Sequence, residues 1–275
     1  MDKIANLSVA DFSQNAIKDK VYLFISFDLV NSTLFKSEFT NRWASIFENV
    51  FYSTLLNILN KDNKLKIWKY IGDEVLFYKE INNFKELNIL SEIEKTIQMT
   101  EENLVLALNK LTKECQKDNE IPLYIKATTW IANIGNSKNP KYRNIAIETP
   151  LGIDFLGSDI DLGFRIAKFS FKSKIVVGAK LAYLLYKYCR QDNIGIVSYE
   201  VLKGIWGGRK YPIIWYNPDS KYLYDDKYSS PIVKNIQSNC SIKNNLPELK
   251  SIFIDLKKMN QIEEIEEILN FQLQN

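Results

Sequence analysis

The pattern of apolar and polar positions divides the first part of the chain into strands and helices. Residues 21–28 form an apolar run that ends in a carboxylate, Asp28, and predict a buried strand. Two further strand-like runs meet at Gly72-Asp73 and predict a hairpin over residues 64–79. Between them, apolar residues spaced near the helical period predict one helix that packs on a sheet, with Phe39, Trp43, Ile46, Phe47, Val50, Leu55 and Ile58 on one face.

The second part of the chain continues with shorter elements. A helix through residues 104–111 is followed by an alternating run over 123–131 that is typical of a half-buried strand. Residues 133–150 carry Gly, Asn, Ser, Lys and two prolines and predict a long loop or flap. The remaining pattern predicts helices over 157–169 and 179–188, and strands over 174–177, 194–202 and 211–216. Pro212 places the last strand at an edge or an end.

This order of elements predicts an α+β fold. The series β-α-β-β-α-β is typical of an antiparallel-dominated sheet of ferredoxin-like type with helices on one face. We expect this domain to span residues 20–216, after an N-terminal arm at 1–19 and before a C-terminal extension at 217–275. An amphipathic stripe near the end of the extension predicts one or two helices that pack on the domain or on a partner.

Composition excludes several classes of function. The chain contains no histidine, which excludes Ser-His-Asp catalysis, Cys-His catalysis and His-ligated zinc. Its three cysteines are scattered, which favours a reducing cytoplasm over a disulfide framework. The net charge of +3 without a basic cluster does not indicate nucleic-acid binding. Because we find neither a signal-peptide core nor a membrane-length apolar run, we expect a cytoplasmic protein without membrane contact.

Three short motifs carry charged residues that a packed core does not need. Asp28 ends the first strand and Asp73 lies in the hairpin turn, so neighbouring strands would bring both carboxylates to one edge of the sheet. Such a pair can hold divalent cations against a triphosphate. The third motif, residues 157–165, places Asp161 and Arg165 one helical turn apart. Taken alone, this last pair indicates a surface salt bridge.

Together the motifs resemble the class III nucleotidyl cyclases. That family has a strand ending in Phe-x-Asp before a Ser/Thr turn, a Gly-Asp hairpin, and a Gly-x-x-x-Asn-x-x-x-Arg helix. The separation of the two aspartates also suits the family, and the resemblance covers residues 20–216. The matching residues in this chain are Phe27 and Asp28, Gly72 and Asp73, and then Gly157, Asp161 and Arg165.

The resemblance implies a two-metal reaction in a homodimer. Asp28 and Asp73, with the backbone carbonyl of Leu29, would bind two divalent cations, Mn²⁺ or Mg²⁺. Arg165 would act in trans and stabilise negative charge on the α-phosphate. Asp161 stands where the family has a catalytic Asn beside the ribose, and the resemblance implies a catalytic role for it together with Arg165, although an Asp puts a negative charge near the ribose where the family has a neutral amide.

The same resemblance implies the contacts to the nucleotide. Backbone amides at the start of the helix after the first strand would cradle the phosphates. A second phosphate-binding Lys of the family is missing from Lys203-Gly204-Ile205, and Arg209 or Lys210 would replace it. The implied substrate-binding residues are Phe27, Val30, Asn31, Ser32, Thr33, Lys69, Asp154 and Arg209.

Longer stretches resemble one branch, the pyrimidine cyclases of the Pycsar antiphage systems. They are residues 157–167, 181–185 and 202–209, together with the Asp that replaces the helix Asn. This branch implies conversion of UTP into cyclic UMP, a messenger that activates a separately encoded effector, usually a membrane-helix or TIR-domain protein. The resemblance therefore predicts a uridylate cyclase in antiphage defence.

Alternatives to UTP remain open. Lys69 and Asp154 fall where adenylate cyclases read adenine, although a Lys donor and an Asp acceptor also suit a pyrimidine edge. CTP and ATP are therefore alternative substrates, and an inactive cyclase-fold module for dimerisation is an alternative of another class. A polymerase-like nucleotidyltransferase would need a basic groove, which the small net charge does not support.

Overall fold

The computed structural model of the protein describes residues 20–39, 42–115, 123–135, 144–150, 152–190, 193–216, 246–258 and 262–274. The predicted arm at 1–19 and the first part of the extension, 217–245, lie outside these residues. The strands are β1 (Lys20–Val30), β2 (Lys66–Ile71), β3 (Glu74–Ile81), β4 (Tyr124–Ile134), β5 (Asn144–Thr149), β6 (Gly152–Gly157), β7 (Ile175–Val177), β8 (Ile194–Val201) and β9 (Lys210–Tyr216).

Helices join the strands. The α-helices are α1 (Ser32–Glu38), α2 (Trp43–Ile46), α3 (Ser53–Lys61), α4 (Leu90–Cys115), α5 (Ser158–Ala167), α6 (Ala179–Cys189), α7 (Leu246–Lys258) and α8 (Glu263–Gln274). A π-helical segment, Phe47–Tyr52, connects α2 to α3, and short 3₁₀ helices cover Phe84–Leu87 and Trp206–Gly208. None of the described helices is long and apolar enough to cross a membrane.

One seven-stranded sheet has the order β2-β3-β1-β4-β7-β9-β8, and β5 and β6 form a separate two-stranded hairpin. Every neighbouring pair in the large sheet is antiparallel except β4 and β7. The predicted α+β architecture with an antiparallel-dominated sheet is therefore confirmed. In this order β1 lies between β3 and β4, so the strand that ends near Asp28 is flanked on both sides.

Alternate residues of β1 face two different apolar clusters. Its odd-numbered residues are buried in the large core with α3, α4 and α6, while Tyr22 and Phe24 face a smaller, aromatic cluster. Trp130, Ala132 and Ile134 of β4 belong to that second cluster, whereas Ile125 and Ile131 belong to the first. The prediction that β4 is half-buried was wrong because apolar side chains cover this part of the sheet on both faces.

The helix predicted through Phe39 and Ile58 is interrupted. Helix α1 ends at Glu38, and a new helix begins at Trp43 and passes through the π-helical segment. The predicted apolar face is nevertheless correct, since Phe39, Phe47 and Ile58 are all buried in the core. The spacing therefore identified the buried side chains but not the break between the helices.

The predicted flap over 133–150 is largely regular structure. Residues 144–149 form β5, which pairs with β6 in register from Asn144–Gly157 to Thr149–Gly152, and residues 136–143 lie outside the described part. Ile145 and Ile147 supply strand-forming side chains that a composition dominated by polar residues conceals. The hairpin is closed by a hydrogen bond from Thr149 Oγ1 to the Gly152 carbonyl at 2.8 Å.

Strand β9 lies inside the sheet, between β7 and β8, and not at an edge. Pro212 is tolerated there because β7 pairs only with residues 214–216 of β9, so no β7 carbonyl needs a donor at position 212. On the other side, Pro212 lies opposite Tyr199 of β8. The prediction of an edge strand was therefore wrong, while the position of Pro212 near one end of the strand agrees with it.

Both C-terminal helices pack on the domain, as the amphipathic stripe predicted. Helix α7 contacts α6 and β8, and α8 contacts β1 and β4. Their buried residues are Leu249, Ile252, Phe253, Leu256, Ile262, Ile265 and Leu269. The extension therefore contributes to the same core as the sheet.

Helix α5 lies unusually close to the sheet. A Cβ atom built at Gly163 would stand 2.2 Å from the ring of Trp130, far inside contact distance. Glycine is therefore required there by space.

We expect Gly163→Ala to reduce the free energy of unfolding by about 1–3 kcal/mol, because the added methyl group forces helix or indole to shift. The measurement is chemical denaturation followed by circular dichroism. Ser158→Ala, at an exposed position of the same helix, is the control and should change the free energy by less than about 0.5 kcal/mol. Equal stability of the two variants would contradict the close contact.

Candidate active site

Three carboxylates meet at one end of the central strands. Asp28 of β1 lies directly opposite Lys126 of β4, one position beyond the pair formed by Phe27 and Val75. Glu74 begins β3 next to it and accepts a hydrogen bond from Ser26. Asp73 lies in the turn between β2 and β3, close enough to affect the ionisation of Asp28. The structure therefore places Asp28 and Asp73 at the same end of the central strands, with Glu74 beside them.

Two lysines partly neutralise this end of the sheet. Lys126 Nζ lies 2.9 Å from Asp28 Oδ2, and Lys36 Nζ lies 3.4 Å from Asp73 Oδ1. Burial raises the pKa of the Asp28 carboxyl, Lys126 lowers it, and the charge of Asp73 adds to the rise. Burial likewise raises the pKa of Glu74, against the hydrogen bond from Ser26. Negative charge thus exceeds positive charge among these five groups.

This donor set fits a hard divalent cation that is shared with a substrate. Within the described part of the chain, no three carboxylate, cysteine or histidine groups converge to hold a metal ion by themselves. Mg²⁺ and Mn²⁺ sites of nucleotide enzymes commonly use one or two carboxylates and complete the coordination with phosphate oxygens and water. Asp28 and Asp73 match that pattern, since they supply hard oxygens in a site with excess negative charge.

The residues after Asp28 turn sharply into α1. Asn31 has φ 67° and precedes the first helical residue, Ser32, whose side chain is buried. Val30 and Asn31 are half-buried and Thr33 is exposed. These residues stay predictions for substrate binding through their backbone.

Phe27 does not present its side chain to this site. It lies on the opposite face of β1 from Asp28, fully buried in the large core and edge-on to Phe77 with 6.0 Å between the ring centroids. Adjacent residues of a strand point to opposite faces, which is the physical reason. The prediction that Phe27 contacts substrate is therefore wrong for its side chain.

Lys69 and Asp154 form a second polar group, on β2 and β6. Lys69 Nζ lies 2.7 Å from Asp154 Oδ1, and Trp68 Nε1 donates to the same oxygen at 2.9 Å. The Lys69 ammonium also lies 4.2 Å from the centroid of the Trp68 ring. Burial opposes ionisation of Asp154, but hydrogen bonds from Lys69, Phe155 N and Trp68 outweigh it and lower the pKa of Asp154. The structure thus brings together the two predicted base-reading residues, and the Trp68 side chain packs against them.

Helix α5 presents Asp161 and Arg165 without pairing them. No ion pair joins the two side chains in the described part of the chain, so the simple surface salt bridge is not formed. Asp161 is exposed, while Arg165 is half-buried and its Nε atom is buried without a hydrogen-bond partner. A buried guanidinium donor without a partner is costly in a finished structure. The Nε–H of Arg165 is therefore shielded and unsatisfied, and only the rest of the half-buried side chain is open to solvent.

The predicted replacements for the phosphate-binding lysine lie around the start of β9. Arg209 is exposed, and its Nε donates to the Trp206 carbonyl at 3.2 Å. Lys203 and Lys210 are also exposed. A phosphate-binding role for Arg209 or Lys210 stays a prediction.

Sequence reasoning missed four side chains of the site: Ser26, Lys36, Glu74 and Lys126. Glu74 directly follows the predicted Asp73, and the even-numbered residues of β1 already suggested that Ser26 shares a face with Asp28. Lys126 was detectable only with the register between β1 and β4, which no local pattern supplies. Trp68 was also missed as a partner of Asp154.

The raised pKa of Glu74 gives a pH-dependent prediction. Burial holds the folded-state pKa above that of the unfolded chain, so ionisation of Glu74 costs stability as the pH rises through the folded value. Glu74→Gln keeps an acceptor for Ser26 without the charge. In EDTA we expect this variant to melt a few degrees higher than the native protein at pH 8, with the gap closing near pH 4, where Glu is largely protonated in both states.

The measurement is thermal unfolding between pH 4 and pH 8. Glu102→Gln, at an exposed position of α4, is the matched control and should show no such gap. A difference for Glu74→Gln that does not change with pH would contradict the role of burial.

In sequence, the chain matches no protein-family model and no curated protein. In structure, it is similar to the adenylyl cyclase CyaB from P. aeruginosa, with a TM-score of 0.53, 13% identity, and coverage of 79% of this chain and 100% of that one. An adenylate cyclase from Trypanosoma brucei gives a TM-score of 0.54 at 12% identity, covering 74% of this chain and 91% of that one.

A third solved structure agrees with these two. The guanylyl cyclase Cya2 gives a TM-score of 0.50 at 12% identity, covering 74% of this chain and 93% of that one. Sequence identities this low indicate a shared fold and carry no information about the substrate. The chain has the fold of a class III nucleotidyl cyclase domain.

Proposed function

We propose that the protein is a nucleotidyl cyclase that converts UTP into 3′,5′-cyclic UMP and pyrophosphate. The observation that carries the proposal is the pairing of the cyclase fold with two carboxylates, Asp28 and Asp73, at one edge of its central sheet. A fold used only for association has no physical need to gather three carboxylates, and burial raises the pKa of two of them, Asp28 and Glu74. Arg165, half-buried on α5, adds a cationic group suited to a phosphate.

Two divalent cations, Mn²⁺ or Mg²⁺, bound at Asp28 and Asp73 with the Leu29 carbonyl, would supply Lewis-acid activation of the ribose 3′-hydroxyl and neutralise the triphosphate. The chain's own contribution is to hold these carboxylates in place. Lys126 and Lys36 do so, since each lies within ion-pair distance of one of them.

The proposed reaction is an in-line displacement. The 3′-oxygen of the ribose forms a bond to the α-phosphorus, the bond from that phosphorus to the oxygen bridging the α- and β-phosphates breaks, pyrophosphate leaves with that oxygen, and the hydroxyl proton passes to solvent. Arg165 would stabilise the negative charge that develops on the α-phosphate. Asp161, exposed one turn before Arg165, would accept a hydrogen bond from a ribose hydroxyl.

The Lys69–Asp154 group supports a single-ring base. One donor and one acceptor 2.7 Å apart match neighbouring positions on one base edge, with Lys69 serving the O4 carbonyl and Asp154 the N3–H of uracil. Trp68 closes one side of this group, because its ring lies under the Lys69 ammonium and its Nε1 binds Asp154. The preference for a pyrimidine over a purine rests on the resemblance to the Pycsar branch.

We propose further that two chains complete each site. Within the described residues, no hydrogen bond or ion pair joins Arg165 to Asp28 or Asp73. Large apolar side chains are exposed close to both groups: Leu34, Tyr70 and Ile71 near Asp73, and Leu156 on β6, directly before α5. Exposed apolar groups of this size are typical of a protein interface. A homodimer would place Arg165 of one subunit against the carboxylates of the other.

The biological setting follows from the resemblance to the Pycsar branch alone. Cyclic UMP would serve as the messenger of an antiphage response and would activate a separately encoded effector.

The test of the proposed function is incubation of the purified protein with Mn²⁺ and, separately, ATP, GTP, CTP or UTP, with products resolved by mass spectrometry. We expect cyclic UMP and pyrophosphate from UTP alone. Cyclic CMP would keep the reaction and change the base, and cyclic AMP would mean that Lys69 and Asp154 read adenine. The absence of any cyclic product would overturn the proposal and leave an inactive cyclase-fold module.

Complementation tests the shared site. Asp73→Ala and Arg165→Ala should each lower turnover by at least about 100-fold, because each removes charge stabilisation from the reaction. A mixture of the two inactive variants should regain up to about a quarter of the native activity, since random pairing leaves half of the chains in heterodimers with one intact site each. Circular dichroism checks that both variants fold. No recovery from two folded, dimeric variants would exclude a site shared in trans.

A further inference from the structure

A buried polar network lies apart from the carboxylates and links the C-terminal helix α8 to α5. Its first contact runs from Asn133 Nδ2 on β4 to Glu264 Oε2 on α8, at 2.8 Å. The Asn133 carbonyl then accepts a hydrogen bond from Asn144 Nδ2 on β5, at 3.1 Å. Asn144 in turn contacts Asp159 on α5. Asn133, Asn144 and Asp159 are each at most 5% exposed, whereas Glu264 is exposed, so water is excluded from all of these bonds except the outermost one.

Asn144 fixes the first turn of α5. Its Nδ2 donates to Asp159 Oδ2 at 2.8 Å, and its Oδ1 accepts from the Asp159 backbone N–H at 2.9 Å. The first backbone N–H groups of a helix have no partner within the helix, and the preceding residue, Gly157, offers no side-chain cap. Asn144 therefore caps α5 from another strand, with both ends of its amide group in use.

Lys180 of α6 holds the other side of Asp159. Its Nζ lies 2.8 Å from Oδ1 and 2.7 Å from Oδ2, and its own side chain is almost fully buried. A charged pair in this position is seldom the most stabilising choice, because apolar groups of the same size pack without desolvation cost. The network instead holds the first turn of α5 in one position and one orientation.

The position of the first turn of α5 determines the position of Arg165, because both belong to one helix. The two residues Asp159 and Arg165 lie on one ten-residue helix, six residues apart, which is about 9 Å along its axis. Gly163, between them, presses the helix backbone against Trp130. With its first turn bonded and its middle in hard contact, α5 has little freedom to slide, and neither does the guanidinium that it carries.

The outer end of the network is the part that can move. Glu264 is exposed, while α8 is anchored by buried Ile262, Ile265 and Leu269 and by an ion pair of Glu266 with Lys187 at 2.8 Å. Loss of the Glu264 carboxylate leaves the helix packed but leaves the buried Asn133 amide without its acceptor. The Asn133 carbonyl also accepts the hydrogen bond from Asn144. A shift of Asn133 would therefore move Asn144, which is bonded directly to Asp159 of α5.

We propose that the C-terminal helix α8 positions Arg165 through Glu264, Asn133, Asn144 and Asp159, so that the extension sets the activity of the cyclase domain. These four are positioning residues and do not touch substrate. The catalytic half of this proposal rests on the proposed function, whereas the physical coupling of α8 to α5 does not. A ligand, partner or modification that displaces α8 would therefore lower turnover without touching the site.

The first test compares Glu264→Ala with Glu263→Ala, its exposed neighbour on the same helix, in the full-length protein with UTP and Mn²⁺. We expect kcat of Glu264→Ala to fall about threefold to tenfold, because α5 and its Arg165 lose their fixed position. KM should change less than about twofold, because the base-reading residues Lys69 and Asp154 keep theirs. Glu264→Gln retains an acceptor and should recover most of the loss. Unchanged kcat in Glu264→Ala would overturn the proposal.

The second test needs no activity. Hydrogen–deuterium exchange should show residues 158–167 of α5 exchanging about fivefold faster in Glu264→Ala than in the native protein, with β1 and β3 unchanged. Glu263→Ala should behave as the native protein does. Faster exchange in an enzyme without cyclic product would disprove the proposed function and keep the coupling. Native exchange in α5 would disprove the coupling whatever the activity.

Discussion

The site depends on a single ion pair across the middle of the sheet. Asp28 lies two residues before the end of a strand that is flanked on both sides, and burial raises the pKa of its carboxyl. Lys126 opposes that rise because the register of β1 and β4 sets it directly opposite. A shift of one residue would turn Asp28 into the apolar core, so the packing of the odd-numbered residues of β1 also fixes the functional face.

The parts of the site that sequence could supply were local. Asp28 and Asp73 follow from a strand end and a hairpin turn, and Asp161 and Arg165 from helical spacing, all within windows of a few residues. Lys126 and the interior position of β9 could not be supplied, because each depends on which distant segments lie side by side. Strand β5 forms a hairpin with the next strand and was missed because polar residues dominate its segment. The side chain of Phe27 shows the same limit, since a motif gives a position and only the strand geometry gives its face.

Energetically unfavourable groups lie around α5 and at the end of the central strands that carries the carboxylates. Arg165 Nε and Trp130 Nε1 are buried without hydrogen-bond partners, and Asp28 and Glu74 are carboxylates that burial disfavours in their charged form. A chain selected for stability alone would replace such groups. Their presence in one region, next to a helix fixed by an unusually well-bonded network, agrees with a surface built to receive an anion and its counter-ions.

The π-helical turn before α3 has a consequence for the evolution of this domain. Buried residues in that region follow a strict spacing of four, at Phe47, Phe51 and Leu55, which in an α-helix drifts by about 40° at each step. Wider turns absorb the drift and keep the stripe facing the sheet. Deletion of one residue from this segment would therefore rotate Leu55 away from the core, so the segment limits which changes in length the helix can tolerate.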